Sequence, residues 1–327
     1  NFMSIEKKPL VNDLYTADPS AHVFNGKIYI YPSHDEDIDV ENNDNGDQYD
    51  MKDYHVYEMP DTETYPRDCG CVLKLEDIPW ASKQLWAPDC VEKDGKYYFV
   101  FPARDKEGFF RIGIATSDKP EGPFKAEPNY IPGSYSIDPC MFPDTDGKYY
   151  LTFGGIWGGQ LDQYRNNKWS ADNKEPKGDE LACTAKIALM KDNLLEMAEE
   201  PKDIMILDEN GKPLTGGDEA RRYFEDPWMF KKGDTYYFTY STGTTHLLCY
   251  ATSKSVYGPF TYGGVILTPV LGWTTHHSIL EYNGKWYLFY HDCERSGGIN
   301  QKRNVKFREL KFNDDGSIQT MDGSLDK

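Results

Sequence analysis

Apolar residues in this chain alternate with polar ones over short stretches that break at Gly, Asp and Asn. That is the pattern of half-buried β-strands joined by tight turns. Residues 223–243, YFEDPWMFKKGDTYYFTYSTG, show it most fully: an acidic turn of Glu225, Asp226 and Pro227, a short apolar strand, a Gly-Asp reversal and a second strand of Tyr, Phe and Thr. Aromatic and β-branched side chains suit a pleated surface and Gly-Asp suits a tight turn, so the segment reads as a hairpin. Its second-strand signature is a Gly, one residue, then an aromatic run. It occurs five times, as GKIYIYPS from Gly26, GKYYFVFPA from Gly95, GKYYLTFGG from Gly147, GDTYYFTYST from Gly233 and GKWYLFYHD from Gly284.

The copies start 69, 52, 86 and 51 residues apart. Repeats of roughly 40–50 residues or more, each of several short strands, mark β-propeller blades. A second repeat, ATSDKPEGPF from Ala115 and ATSKSVYGPF from Ala251, reads as a later strand and turn of two blades. The expectation is an all-β, five-bladed β-propeller: one domain over residues 1–327, with no separate C-terminal β-sandwich. The tail VKFRELKF alternates apolar and polar residues and is suited to pairing with the N-terminal segment, closing the ring.

Counting back eight residues from the turn glycine gives Asp18, Ala87, Glu225 and His276; nine back, in the copy with a longer turn, gives Asp138. The first strand of each blade lines the channel of a propeller, so these positions converge at one mouth of it. A single Asp-Pro is an ordinary turn starter. Acids at one structural position in three of five copies, with Ala and His in the others, are not what a purely structural role predicts. A glycosidase needs such a gathering. In the inverting form one carboxylate activates water and a protonated one serves the leaving oxygen, ~6.5–9.5 Å away. A third carboxylate near the acid raises its pKa by like-charge repulsion.

Composition narrows the choice. The net charge of −18 excludes nucleic acid and anionic membranes as partners and leaves neutral polysaccharides. No apolar run approaches the roughly 18 residues needed to span a bilayer. The seven cysteines are odd in number and scattered, which reads as buried thiols in a reducing compartment. With no signal-like apolar segment at residues 1–10, a cytoplasmic location is favoured over secretion. Residues 34–50 form an acidic, Asn-rich stretch whose register fails for an EF-hand, because Lys52 stands where a bidentate Glu is needed. It is expected to be a solvated loop. Residues 161–180 are too charged for core and read as a surface excursion bordering the cleft. Trp86 is read as either an apolar wall for a sugar face or core packing.

The segments ADPS, WAPD, SIDP, EDP and HHSI with GKWYLFYH, in this order over essentially the whole chain, make it resemble glycoside hydrolase family 43. That resemblance implies a five-bladed propeller that trims xylan, arabinan or arabinoxylan. By it, Asp18 is the general base, Glu225 the general acid and Asp138 the pKa modulator and orienting group. Glu225 fits both the family's Glu-x-Pro arrangement and the eight-residue count. Aligning on Pro227 instead would bring Asp226 level with Asp18, which keeps Asp226 as the weaker candidate. The resemblance also makes His276 a ligand of a largely water-coordinated calcium ion, against the alternative of a histidine hydrogen-bonded within the channel; His277 is expected to point into the blade. It makes Arg303 a fork for sugar hydroxyls, against the alternative of a surface charge. The activity implied is exo-acting, inverting release of xylose and/or arabinose from xylo-oligosaccharides or arabinoxylan fragments, the two long loops walling off one end of the channel. The alternatives are an endo-acting arabinanase of the same fold and a non-catalytic glycan-binding propeller.

Overall fold

The computed structural model describes residues 4–325, apart from Asp37, Asp39 and Thr274. Its backbone is strands and turns with a few single 3-10 turns, and none of its helices is long and apolar enough to cross a membrane. Five antiparallel sheets follow one another along the chain. Blade I comprises Tyr15–Phe24, Lys27–Asp35, Asp53–Met59 and Arg67–Lys74; blade II comprises Asp89–Lys93, Lys96–Arg104, Phe110–Ser117 and Lys125–Ala126. Blade III comprises Cys140–Pro143, Tyr149–Phe153, Lys186–Leu189 and Lys202–Asp203. Blade IV runs Glu225–Lys232, Thr235–Ser241, Leu248–Ser253 and Phe260–Leu267, with Ile206–Leu207 added in parallel at its outer edge. Blade V has three strands, His277–Tyr282, Lys285–Asp292 and Asn304–Leu310.

The first strands of successive blades touch in ring order, and those of blades V and I touch as well, so the ring is closed. Closure uses the N-terminal segment. Amides of Lys7, Leu10 and Thr16 donate to carbonyls of Phe307, Val305 and Arg303, so that segment occupies the outer place of blade V. Ile5, Leu10 and Val11 pack there with Ile28, Ile30, Phe289, Val305 and Phe307 in a single apolar cluster. Each such side chain contributes on the order of 1.5–3 kcal/mol when buried. The tail therefore does close the ring as its alternation predicts.

The hairpin turns fix the register of the inner strands. Blades I, II and V turn through Asn25-Gly26, Asp94-Gly95 and Asn283-Gly284, with positive φ at both residues, the backbone of a type I′ hairpin. Blade IV turns through Gly233-Asp234 with Gly233 alone at positive φ, as in type II′. Its glycine thus stands one place earlier in the turn. Counting from the glycine therefore runs one residue out in blade IV, and it is Asp226, not Glu225, that lies level with Asp18. Backbone conformation agrees: Asp18, Asp138 and Asp226 each precede a proline with φ of 52°, 57° and 67°. In blades I and IV the ladder slips at this point.

Candidate active site

At one mouth of the channel, Asp18, Asp138, Glu225, His276, Trp86 and Arg303 line a single pocket of ≈670 Å³ including its open entrance. All six residues singled out in the sequence are thus brought together. Their places follow from the strands. Asp18 and Asp138 are themselves in the left-handed conformation before their prolines, and both line the pocket. In blade IV that conformation falls on Asp226, which is buried, and its predecessor, Glu225, lines the pocket.

Asp18 is held by one cation, Arg303, and several hydrogen-bonding groups. Its amide donates to His291 Nδ1 (2.9 Å), Ser33 Oγ donates to its Oδ2 (2.5 Å), and Arg303 Nη1 donates to its Oδ1 (3.3 Å). His276 Nδ1 stands 3.5 Å from Oδ1. Burial works to raise its pKa, but Arg303, His276, His291 and Ser33 together outweigh it and hold the carboxyl well below the usual range. Arg303 is itself clamped by Asp35, through Nε to Oδ2 (2.8 Å) and Nη2 to Oδ1 (2.7 Å), and its guanidinium lies over the Tyr49 ring. It is buried, not a surface charge.

The opposite wall has no such cation. Burial, then the negative Asp18, push Glu225 up to about 8, with Arg303 only partly opposing. Burial and the neighbouring Glu225 and Asp18 raise Asp138 far above its ordinary value. The two titrate as a pair, so the proton belongs to both. Asp138 Oδ2 accepts the amide of Asp226 (2.9 Å), which fixes the backbone next to Glu225. Asp226 itself is enclosed: its carboxylate faces His276 Nε2 (3.0 Å) and bonds His277 Nδ1. His277 continues to Thr239 Oγ1 (2.6 Å) within the blade, as expected of it.

Trp86 is both wall and core. Its ring packs on Phe110 (centroids 4.6 Å apart) and Tyr49, and Nε1 donates to the Tyr49 carbonyl (2.9 Å). The stretch 34–50 corrects the expectation of a solvated loop. Its second half folds into the pocket wall, with Gly46, Gln48 and Tyr49 buried and Asn43 Oδ1 accepting the amides of Asn45 and Asp47. Gly46 sits at φ +79°, and a Cβ there would meet Trp86 Cη2 at 2.6 Å, so the wall is built around a missing side chain. The stretch 161–180 is a largely exposed surface excursion beyond Tyr164, as expected, but it does not wall off the channel. It does not line the pocket, because Leu161 and Tyr164 are buried in the core and Tyr164 stacks on Tyr135 at 3.9 Å. It only braces the rim, through Glu175 accepting from Trp157 Nε1 (2.7 Å). The cysteines divide: Cys90, Cys140, Cys249 and Cys293 are buried, Cys69 and Cys183 are half-buried and Cys71 is exposed, all as free thiols.

Sequence reasoning missed Asp35, Ser33, His291 and the rim tryptophans Trp157 and Trp273, stacked at 5.8 Å. Ser33 and His291 occupy corresponding places in the second strands of blades I and V, and both clamp Asp18. The repeated second strand was the signal that could have found them.

A calcium ion at His276 would find few protein ligands and would depend on water, as the expected largely water-coordinated site does. Nε2 already faces Asp226, and among the described residues no third His, Cys, Asp or Glu ligand atom converges there. A hard cation seeks six to eight oxygens.

The sequence profile of glycosyl hydrolases family 43 matches residues 7–318. A xylosidase/arabinosidase of Bacteroides ovatus is 56% identical over 98% of this chain and 99% of its own. Xylosidase/arabinosidase 43A of Humicola insolens is 58% identical over 95% and 98%. The crystal structure of CoXyl43, a β-xylosidase/α-arabinofuranosidase from a compost microbial metagenome in complex with xylotriose in a calcium-free form, superposes with a TM-score of 0.96 at 55% identity, covering 98% of each chain. With a five-bladed ring, three carboxylates at its mouth and likeness over its whole length, the chain belongs to glycosyl hydrolase family 43.

Proposed function

We propose that the protein is an exo-acting, inverting glycoside hydrolase that releases xylose and/or arabinose from xylo-oligosaccharides or arabinoxylan fragments. One arrangement carries the reading: a single pocket sets Asp18, hydrogen-bonded to Arg303, across from Glu225, whose burial favours its protonated form. Asp18 takes the proton of the attacking water, and Glu225 delivers its own to the glycosidic oxygen. The water attacks from the face opposite the leaving group, so the anomeric configuration inverts. Asp138 orients Glu225 through the Asp226 amide and helps keep it protonated. Trp86, Trp157 and Trp273 offer apolar faces to sugar rings, and Arg303, fixed by Asp35, offers directed N–H groups to hydroxyls.

The wall formed by residues 43–49 supports a pocket closed on one side, as exo action requires. The names of the relatives and the xylotriose bound to CoXyl43 favour this substrate class over an arabinan backbone. The test is a panel of aryl xylosides and arabinofuranosides with wild type, Glu225→Gln and Asp18→Asn, and NMR of the first-formed anomer. Undiminished turnover in either variant, or retention of configuration, removes the assignment.

Calcium stays a proposal. The calcium-free form of CoXyl43 supports an ion in relatives. Here the ion would have to take His276 Nε2 from Asp226 and fill its remaining positions with water. A reducing compartment and a single domain over residues 1–327 are likewise proposals, supported by the free thiols and by the continuous ring.

A further inference from the structure

Away from the channel axis, blade I carries a second group of imidazoles and carboxylates that hydrolysis does not use. His34, Asp53 and His55 place one ligand atom each within 4.8 Å of one another. Asp53 and His55 share a face of the third strand by their i, i+2 spacing, and His34 meets them from the second strand. His34 Nδ1 is 2.5 Å from Asp53 Oδ1, and His55 Nε2 is 3.7 Å from Asp53 Oδ2. We propose that these three side chains bind a transition-metal dication of the zinc class.

Three features support the site. The first is the orientation of His55. Its Nδ1 lies 3.0 and 3.1 Å from the two oxygens of Asp68, which leaves Nε2 directed at Asp53. A carboxylate holding the far nitrogen of an imidazole is the usual support of a metal-bound histidine. The second is donor chemistry. Two imidazoles and one carboxylate suit zinc, cobalt or nickel and are a poor set for calcium or magnesium. The third is access: the three side chains are 15%, 25% and 16% exposed, so an ion can enter and keep a water as its fourth ligand. Ligand atoms around such an ion stand about 3.3 Å apart, given bonds of about 2.0–2.1 Å, so the observed spacing needs only small rotamer adjustments. Metal binding displaces the protons the imidazoles direct at Asp53, while the Nδ1–H of His55 stays on Asp68.

Position gives the ion a consequence. His34 lies just before the pocket-wall stretch and Asp53 just after it, so the three ligands close the neck of the loop that supplies Gly46, Gln48 and Tyr49. The competing account is a metal-free cluster of ion pairs. In the test, the full chain is stripped with a chelator and titrated at neutral pH with Zn²⁺ by calorimetry and with Co²⁺ by visible absorption. One equivalent should bind to wild type and to His276→Ala. Affinity should drop at least tenfold in His34→Gln and His55→Gln, and about 10–100-fold in Asp68→Asn. Circular dichroism checks the fold of each variant, and if one histidine variant does not fold, the other and Asp68→Asn carry the test. No binding at millimolar Zn²⁺, or binding that survives both histidine replacements, overturns the proposal.

Discussion

The two sides of the pocket present acidic residues from the starts of the blades, Glu225 one place before the register that Asp18 and Asp138 share, and treat them oppositely. On the side of blades V and I, Asp18 meets Arg303, His276, His291 and Ser33 and stays ionised. Across from it, burial comes first for both acids, followed by Asp18 for Glu225 and by Glu225 and Asp18 for Asp138, and both carboxyls are pushed toward their protonated forms. The blades' first strands supply the carboxylates; what breaks the symmetry is Arg303, just before the last strand of blade V, joined by Ser33 and His291 from second strands. A buried arginine on one side only is enough to split like groups into a base and an acid.

The contrast can be broken most severely at its two poles. Asp18→Asn and Glu225→Gln should each lower kcat by about 10²–10⁴-fold on natural xylo-oligosaccharides. Glu225→Gln should lose less on aryl xylosides with good leaving groups, and stopped assays on both substrate types read the split. Arg303→Met comes next. It abandons Asp35 in the interior and should cost about 3–5 kcal/mol of stability by denaturant titration. In the fraction that stays folded, the acid limb of kcat/KM should shift upward, because Asp18 loses its main cation. An acid limb left in place would show that the histidines suffice.

The pH profile of the wild type sharpens the same comparison. Activity should fall on the alkaline side with an apparent pKa near 8, as Glu225 loses its proton, while the acid limb lies below the ordinary carboxylate range. Stability follows with its own sign. Because the folded pKa of Glu225 is raised, its contribution is complete below about 4.5 and is lost as pH rises through about 8. Glu225→Gln should therefore flatten the decline of Tm across that window, leaving the part due to Asp138. The smallest effect is expected at the wall. Gly46→Ala should raise KM several-fold with little change in kcat, by pushing Trp86 out of place. An unchanged KM would mean the loop yields freely.

Much of this was legible in the chain before any coordinates, for a physical reason. Half-buried strands and tight turns leave a period, and five copies of GKxY-type hairpins announce five blades. Convergence of Asp18, Asp138, Glu225 and His276 follows from that count. The register did not follow fully. Gly233 leads its turn whereas Gly26 ends its own, a difference between type II′ and type I′ that spacing from the glycine cannot see. Asp35 and His291 were hidden because they sit at the far ends of second strands, where a residue's neighbour comes from another blade. The acidic stretch at 43–49 misled by composition: Asn43 bonds the local backbone, Asp47 takes the side-chain amides of Asn43 and Asn45, and Gly46 and Tyr49 turn inward.

Ring closure also orders events in time. Asp18 and its arginine partner are 285 positions apart, and the N-terminal segment reaches its place only against the strand Asn304–Leu310, made after the other four blades. A growing chain on the ribosome thus carries Asp18, the proposed base, without its arginine until blade V is made.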